Sequence, residues 1–461
     1  MGAVWRQECR FYLFFTHNCR NFGSTFNTIS LMTNVIPVWM LIPFAVQLLC
    51  IAVLPLTKLE KWWEHNLNKL IVSLLLGVPV GLWLCLNGMS HELEHQMIYD
   101  YVPFILLLMA LFVTTGGICI RGDLKATPTT NTLILALGWV LASFMGTTGA
   151  AMLLIRLLLQ TISQRQHKAH TVMFFIAIVA NCGGLLTPLG DPPLFLLFQK
   201  GAPFGWFMHM LPEWLTTGAL LLAIYWIIDN HYYRKEPWHL LSADHRERTP
   251  ITVTGLINIV WLLCVIASTM FINKTYIPQM GAADAPWYLR LLREWAFLAI
   301  IVLSMVTTRR QVRQDNNFSW TPILEVVCVF CGIFATMTPA LMFMEQHPLP
   351  VHHPWQFVYA TGLWSAFLDN APTAMVFHAA ATTLPVVGQA VAGISEIYLK
   401  AICMGAVFFG SMTYIGNGPN FMVKSIAEES GVKMPSFFGY MLKFSLVILL
   451  PVYIIVQILF I

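Results

Sequence analysis

Two aspartates differ from the other acidic residues because each lies inside a long apolar stretch. Asp191 stands in Gly-Asp-Pro-Pro, and Asp369 begins Asp-Asn-Ala-Pro-Thr. A carboxylate in such surroundings has a large desolvation cost when charged, so it holds a proton or has a cation beside it. Carboxylate, amide and hydroxyl oxygens are the ligands that small, hard cations take. The pattern therefore predicts a buried site where Na⁺ and H⁺ compete.

Asp369 is the first candidate for this site, with the Asn370 amide and the Thr373 hydroxyl as further ligands. Each aspartate also has a structural interpretation, since Asp369 can cap the helix that follows it. Asp191 can likewise cap a helix that begins with Pro192 at its first position. Capping at Asp369 is compatible with ion binding, and for Asp191 both interpretations stay open.

A metalloprotease signature offers a rival function of another class. His91-Glu92-Leu93-Glu94-His95 matches the pattern in which two histidines one turn apart bind zinc and the glutamate activates water. The motif is expected in a short outside loop, and no third ligand is evident near it. A membrane zinc protease stays a remote alternative, beside an ion-attracting rim and an ordinary polar surface, and we expect no enzyme.

The composition limits the elements that can position these residues. Of 461 residues, 57% are hydrophobic and only 10% are charged, against roughly 25% charged residues in soluble domains. This predicts a polytopic membrane protein whose partner is the lipid bilayer. The net charge is +4, but the Lys and Arg residues are scattered through short loops. We therefore expect no nucleic-acid partner.

About twelve apolar segments are long enough to enter or cross a bilayer, which predicts an all-α fold. Two of them, 131–159 and 356–384, are broken by polar residues near the middle. If the first crossed fully, Arg165 and Lys168 would lie outside, against the tendency of basic residues to stay in cytoplasmic loops. We therefore predict two re-entrant hairpins and about ten transmembrane helices. The predicted segments are 34–56, 69–88, 101–120, 131–159, 171–200, 212–229, 255–272, 294–308, 322–343, 356–384, 398–423 and 437–461.

Matching polar motifs occur in the two halves of the chain. The sequence GLLTPLGDPPLF at 184–195 matches GSMTYIGNGPNF at 410–421 at an offset of 226 residues, and the hairpin tips at 146–152 and 369–375 align at an offset of 223. By the charge rule the two halves have opposite orientations. This predicts an inverted repeat of the kind found in secondary transporters, with a binding site near the midplane where two unwound helices meet.

The predicted organisation has an N-terminal tail at 1–33, a first repeat at 34–229, a cytoplasmic linker at 230–250 and a second repeat at 251–461. The tail carries three arginines and has no apolar core of the length that a secretory signal needs. One hypothesis is that Met32 is the natural start of the protein.

The same motifs resemble the ion-transporter superfamily, which contains NhaD-type sodium/proton antiporters, arsenite permeases, and citrate and dicarboxylate carriers. The resemblance spans residues 34–461 and rests on GTTGAAMLLIR at 146–156, on the passage at 180–193 and on DNAPTA at 369–374. The Asp-Asn-x-Pro tip resembles the sodium/proton antiporter branch, whereas the Gly-Thr-Thr-Gly tip is also similar to citrate transporters.

This resemblance implies a fold with two re-entrant hairpins and two unwound helices, with sodium sites between each tip and its neighbouring break. It also implies a homodimer. The implied site residues are Thr147, Thr148 and the passage from Asn181 to Thr187 in the first half, and Asp369, Asn370, Thr373 and the passage from Thr413 to Asn417 in the second; Asp191 is a candidate from its own buried position.

We expect from these observations a multi-pass inner-membrane transporter that exchanges Na⁺ for H⁺ by alternating access, with no cofactor beyond the transported ions. A sodium-coupled citrate or other anion carrier and an arsenite-type permease are the alternatives. A trianion favours basic side chains or several helix N-termini at its site. Arg156 is the only clear basic residue near a tip, so cation transport fits the sequence better.

Overall fold

Helices make up nearly all of the regular structure in the computed structural model, which describes residues 35–239, 250–282 and 284–461. The predicted tail and the Met32 hypothesis lie outside the described residues, as does 240–249 of the predicted linker. Within these described ranges, four short strands form two antiparallel pairs, β1 (Cys119–Arg121) with β2 (Thr252–Thr254), and β3 (Ala390–Val391) with β4 (Ile394–Ser395).

Among residues 35–239 the α-helices are α1 (Ile42–Val53), α2 (Glu60–Trp63), α3 (Asn66–Leu86), α4 (Ser90–His95), α5 (Val102–Thr115), α6 (Pro128–Met145), α7 (Thr147–Thr161), α8 (Ala169–Ile178), α9 (Pro192–Gln199) and α10 (Leu211–Tyr233). Those after residue 250 are α11 (Ile257–Phe271), α12 (Trp287–Arg290), α13 (Leu292–Thr307), α14 (Arg310–Asp315), α15 (Thr321–Gln346), α16 (Pro354–Phe367), α17 (Asn370–Ala381), α18 (Glu396–Phe409), α19 (Gly418–Glu429), α20 (Phe437–Tyr440) and α21 (Leu450–Phe460).

Seven helices among the described residues are each long and apolar enough to cross a membrane. Their outward faces are apolar too, as on α3, where Leu75 is 67% exposed and Leu82 is 60% exposed. Apolar faces of this kind are typical of helices that contact lipid. The chain is therefore an all-α polytopic membrane protein, as predicted. The seven are Asn66–Leu86, Ser90–Thr115, Pro128–Met145, Ala169–Leu186, Phe204–Tyr233, Thr321–Gln346 and Phe437–Phe460.

Both predicted hairpins are present as pairs of helices that pack against each other. Helices α6 and α7 meet at Gly146, whose φ of 79° lies in a region that favours glycine. Helices α16 and α17 also pack together, and the chain between them is extended at Leu368 and Asp369. Each hairpin therefore has a non-helical tip at the position that the polar residues indicated.

The two predicted unwound segments follow the hairpins along the chain. Helix α8 ends at Ile178 and α9 begins at Pro192, while α18 ends at Phe409 and α19 begins at Gly418. Nearly every residue between these ends is buried. Non-helical backbone at membrane depth needs such cover, because no water is available to its polar groups.

Ion pairs separate into the two ends of the molecule that the charge rule predicts. Four of the pairs among the described residues join segments that were predicted to lie on the same side, although the partners are distant in sequence. The pairs are Lys69–Glu325 (2.6 Å) and Arg121–Asp315 (3.0 Å) at the predicted inner end, and Lys200–Asp100 (2.9 Å) and Lys400–Glu213 (3.1 Å) at the predicted outer end.

Two features differ from the sequence-based expectation. The loop expected at 88–100 is wrong, because α4 begins at Ser90 and continues through a π-helical stretch, Gln96–Tyr101, into α5. The pairing of β1 with β2 was also not expected, and it joins the two predicted repeats at their inner end. The repeat and linker boundaries themselves stay predictions.

We predict that Gly332→Ala destabilises the packing of α15 on α3. A Cβ atom at Gly332 would lie 2.7 Å from the backbone Cα atom of Ser73, which no side-chain rotation relieves. Overpacking of this kind costs about 1–3 kcal/mol. The measurement is the midpoint of thermal unfolding in detergent. Gly205→Ala is the matched control because nothing lies within 4 Å of its added Cβ, and equal midpoints for the two variants would contradict the prediction.

Candidate functional site

The carboxylate of Asp191 is buried, with 2% of the residue exposed, and it accepts hydrogen bonds from both halves of the chain. Thr147 Oγ1 donates to its Oδ1 at 2.8 Å, and Asn417 Nδ2 donates to the same oxygen at 3.1 Å. Asn370 Nδ2 donates to Oδ2. We call these four residues the Asp191 cluster. Three donors offset the hydration that the buried carboxylate has lost.

Four helix N-termini bring the Asp191 cluster together. Thr147 and Asn370 are the first residues of α7 and α17, while Asp191 and Asn417 immediately precede α9 and α19. The helices pack crosswise between the predicted halves, since α9 contacts α17 and α19 contacts α7. Helix N-termini carry partial positive charge, which favours a carboxylate at their meeting point.

Three asparagines connect the two unwound segments to each other. Asn181 Nδ2 donates to Asn420 Oδ1 at 2.7 Å, and Asn417 Nδ2 donates to Asn181 Oδ1 at 3.2 Å. Asn420 Nδ2 in turn donates to the carbonyls of Gly410 and Thr413, at 2.8 and 2.9 Å. These amides satisfy backbone carbonyls that have lost their helical partners.

The threonines of the unwound segments bind the hairpins and do not enter the Asp191 cluster. Thr187 Oγ1 donates to the carbonyl of Ser143, and Thr413 Oγ1 donates to the carbonyl of Ala366. Ser143 and Ala366 lie in the last turns of α6 and α16, where carbonyls have no partner within the helix. The two predicted ligands therefore fix each hairpin to its neighbouring break.

Asp369 lies beside the cluster and caps its own helix. Its Oδ1 accepts from the amide of Ala371 at 2.9 Å, so the capping interpretation is correct for this residue. Thr373 Oγ1 donates to the carbonyl of Asp369 at 2.8 Å, within the first turn of α17, and makes no hydrogen bond to Asp191. The predicted ligands Asp369 and Thr148 both line the adjoining cavity.

One buried acceptor in the Asp191 cluster has no donor. Asn370 is fully buried, its Nδ2 donates to Asp191, and its Oδ1 has no hydrogen-bond partner. A buried polar atom without a partner is unfavourable and calls for an explanation. This amide oxygen lies next to the Asp191 carboxylate, which accepts from the Thr147 hydroxyl. Such hard oxygen ligands suit an alkali cation, and a proton on the carboxylate would also supply the missing donor.

A cavity of about 400 Å³ reaches the cluster from the predicted inner end. Thr147, Asp369 and Asn417 line its deep part, while Lys69 and Glu325 line the part near the inner end. Its volume is within the roughly 300–1,000 Å³ of small-molecule sites. The cavity therefore reaches Thr147 and Asn417 of the cluster from the side that the charge rule predicts to be cytoplasmic, whereas Asp191 and Asn370 lie behind its wall.

Sequence reasoning missed two residues of this region. Asn420 lies in the quoted motif, but its counterpart 226 residues earlier is Leu194, so the repeat gave no signal for it. Lys69 was assigned only as a loop cation, yet it is 4% exposed and lies on the cavity wall. Lys69 and Glu325 are far apart in sequence, so only tertiary packing could reveal their ion pair.

Two other basic or metal-binding candidates lie away from the cluster. Arg156 Nη1 donates to the carbonyl of Asn316 at 2.9 Å, at the inner end, and does not contact either aspartate. His91 and His95 lie on α4, and among the described residues no group of three or more His, Cys, Asp or Glu could hold a metal ion.

Comparison with known proteins adds one finding. Residues 33–461 match the model of a protein family described as "Putative citrate transport". No curated protein matches the chain. The matched region includes every residue of the Asp191 cluster and of the cavity.

We predict that Gly190→Ala disrupts the site. A Cβ atom at Gly190 would lie 2.0 Å from the carbonyl oxygen of Gly184. The carbonyl of Gly190 accepts from the amide of Thr147 at 2.8 Å, so a backbone shift here displaces a donor to Asp191. We expect at least an approximately tenfold loss of transport in reconstituted vesicles. A loss of about 1.4 kcal/mol in the free energy of ion binding is enough to produce it. Gly205→Ala is the control, and full activity of Gly190→Ala would contradict the prediction.

Proposed function

The chain belongs to this citrate-transport family, and on that premise we propose that it is a secondary transporter whose Asp191 cluster exchanges Na⁺ for H⁺. The observation that carries the proposal is the buried carboxylate that both halves of the chain bind, next to an amide oxygen of Asn370 without a donor. Such a carboxylate is stable when it is protonated or has a cation beside it, so the two ions exclude each other.

Exchange follows when the unit that holds the aspartates crosses the membrane barrier only in a neutralised form. Na⁺ enters through the cavity, takes oxygens of Asp191 and Asn370, and displaces the proton. After the unit moves, a proton displaces Na⁺ on the other side. The crosswise packing of α9 on α17 and of α19 on α7 supports movement of both hairpins as one unit. No cofactor and no covalent step are needed.

We further propose that the protein works in the inner membrane with its cavity open to the cytoplasm. The inner-end ion pairs, which include Lys69 and Arg121, support this orientation. The homodimer that the family resemblance implies stays a prediction, because the described chain is a single copy.

The test is proteoliposome flux with a fluorescent pH indicator inside the vesicles. We expect Na⁺ to dissipate an imposed pH gradient in the wild type, and Asp191→Asn and Asp369→Asn to reduce this flux at least about tenfold. Asn at position 369 still caps α17, so that variant removes charge while it retains the cap. In Asp191→Asn the new NH₂ group would face hydrogen-bond donors and leave them without an acceptor. We therefore expect a larger loss of flux than in Asp369→Asn.

Asp284→Asn serves as the matched control, because Asp284 is exposed and lines neither described cavity. Thermal unfolding of each variant shows whether the loss arises from misfolding. Undiminished Na⁺-dependent proton flux in both Asp191→Asn and Asp369→Asn would contradict the proposal.

A second candidate is sodium-coupled uptake of a citrate-class carboxylate. The family match favours it, and so do the first turns of α7 and α19, which have no side-chain cap and line the cavity. Lys69 supplies a cation on the same wall, 2.6 Å from Glu325. A carboxylate substrate could then take the place of Glu325 beside Lys69.

Labelled citrate in the same vesicles tests this candidate. If citrate is carried, we expect Lys69→Gln to raise its KM about tenfold, since a charge-assisted hydrogen bond is lost. Lys58→Gln, at an exposed lysine of the same end, should leave KM unchanged. Na⁺-driven citrate uptake without proton exchange would replace the first proposal by the second.

A further inference from the structure

A second cavity, of about 550 Å³, lies at the predicted inner end and shares no lining residue with the cavity of the Asp191 cluster. The α7–α8 loop contributes Arg165, His167 and Lys168 to it, and the α19–α20 loop contributes Lys433. The cavity therefore lies where the two predicted repeats meet. None of the described residues that line it is an aspartate or a glutamate.

Arg165 gives this cavity a buried cation with unused hydrogen-bonding capacity. The residue is 3% exposed, and its Nη1 atom donates to Asp229 Oδ2 at 3.0 Å. Its Nη2 atom is buried and has no hydrogen-bond partner. A guanidinium nitrogen left without an acceptor inside protein is unfavourable, and a bound oxyanion would satisfy it.

The two acidic residues near Arg165 already have hydrogen-bond partners within the protein. Asp229 accepts from His170 Nε2 at 2.8 Å in addition to Arg165. Glu236 accepts from the backbone amides of Gln166 and His167, at 2.9 to 3.1 Å. These two carboxylates offset the charge of Arg165 and stabilise the loop. Lys168 Nζ donates to the carbonyl of Ser163 and lies within the electrostatic reach of Glu236, so Lys433 is the lysine of the cavity without an ion pair among the described residues.

The N-terminus of α8 adds backbone donors to the same place. Lys168 precedes this ten-residue helix, no side chain caps it, and Ala169 and His170 line the cavity. The first-turn amides of a helix have no carbonyl partner within it, and together with the helix dipole they favour an anion. Guanidinium, ammonium and amide donors thus converge from two loops and one helix end.

We propose that this cavity is a binding site for a phosphate-class oxyanion, held by Arg165, Lys168, Lys433 and the first turn of α8. The bound anion ties the α7–α8 loop to the α19–α20 loop and so stabilises the inner face of the protein. The site is separate from the proposed ion-exchange site and does not depend on it. The ligand is either free phosphate or the phosphate of an anionic lipid headgroup, both of which present the same oxygens.

The experiment has two arms, each with the full chain as wild type, as Lys168→Gln/Lys433→Gln and as Lys58→Gln. In the first arm, inorganic phosphate is titrated into detergent-solubilised protein against chloride at equal ionic strength, with the thermal unfolding midpoint as the readout. In the second arm, the protein is placed in nanodiscs of phosphatidylcholine with phosphatidylglycerol, and the phosphatidylglycerol retained after extraction is measured. Arg165 itself is left unchanged because its removal would leave Asp229 unpaired.

We expect phosphate to raise the midpoint of the wild type and of Lys58→Gln, because a ligand of the native state stabilises it. The double variant should need at least about tenfold more phosphate for the same rise, since each lysine supplies a charge-assisted hydrogen bond. A difference confined to the nanodisc arm identifies the headgroup as the source. Equal behaviour of the wild type and the double variant in both arms would overturn the proposal.

Discussion

The buried carboxylate of Asp191 is the constraint on which the centre of the protein depends. It lies between two segments that are far apart in sequence, and its three donors come from Thr147, Asn370 and Asn417. Each donor stands at or next to a helix N-terminus, so these helices must begin at those residues for the donors to reach the carboxyl group. Without these donors a carboxylate at this depth would cost several kcal/mol. The interrupted helices are therefore the means by which the chain accommodates one carboxyl group in an apolar interior.

The unwound segments create a second requirement, because their backbone groups have lost helical partners. Side chains supply the replacements, as when Thr187 and Thr413 donate to the hairpin carbonyls of Ser143 and Ala366. Close approach of backbone to backbone does the rest, and at Gly190 there is no room for a Cβ atom. Polar residues and glycines thus recur in both breaks for the same physical reason, which is why the two motifs resemble each other.

The sequence was sufficient to predict those features that arise from local pattern. Apolar length predicted the spans, and polar interruptions predicted the breaks near Asp191 and Asp369. Features that depend on packing between distant helices were not predictable. Asn420 has Leu194 at the equivalent place, so no repeat marked it. The helical start at Ser90 was hidden because charged residues in its first turns resemble a loop, although they extend an apolar helix.

Electrostatics at the cavity wall links the two functions considered for this site. Asp369 already caps α17, and Asp191 lies at the start of α9, so two of the four helix N-termini face carboxylates of the protein itself. Glu60, Glu64 and Glu325 also line the cavity, where Lys69 is paired with Glu325. An incoming anion would meet this negative wall, with Lys69 and the first turns of α7 and α19 to favour it. Binding of Na⁺ or H⁺ at the aspartates would lower that repulsion, so we expect it to favour anion binding if the protein carries a carboxylate.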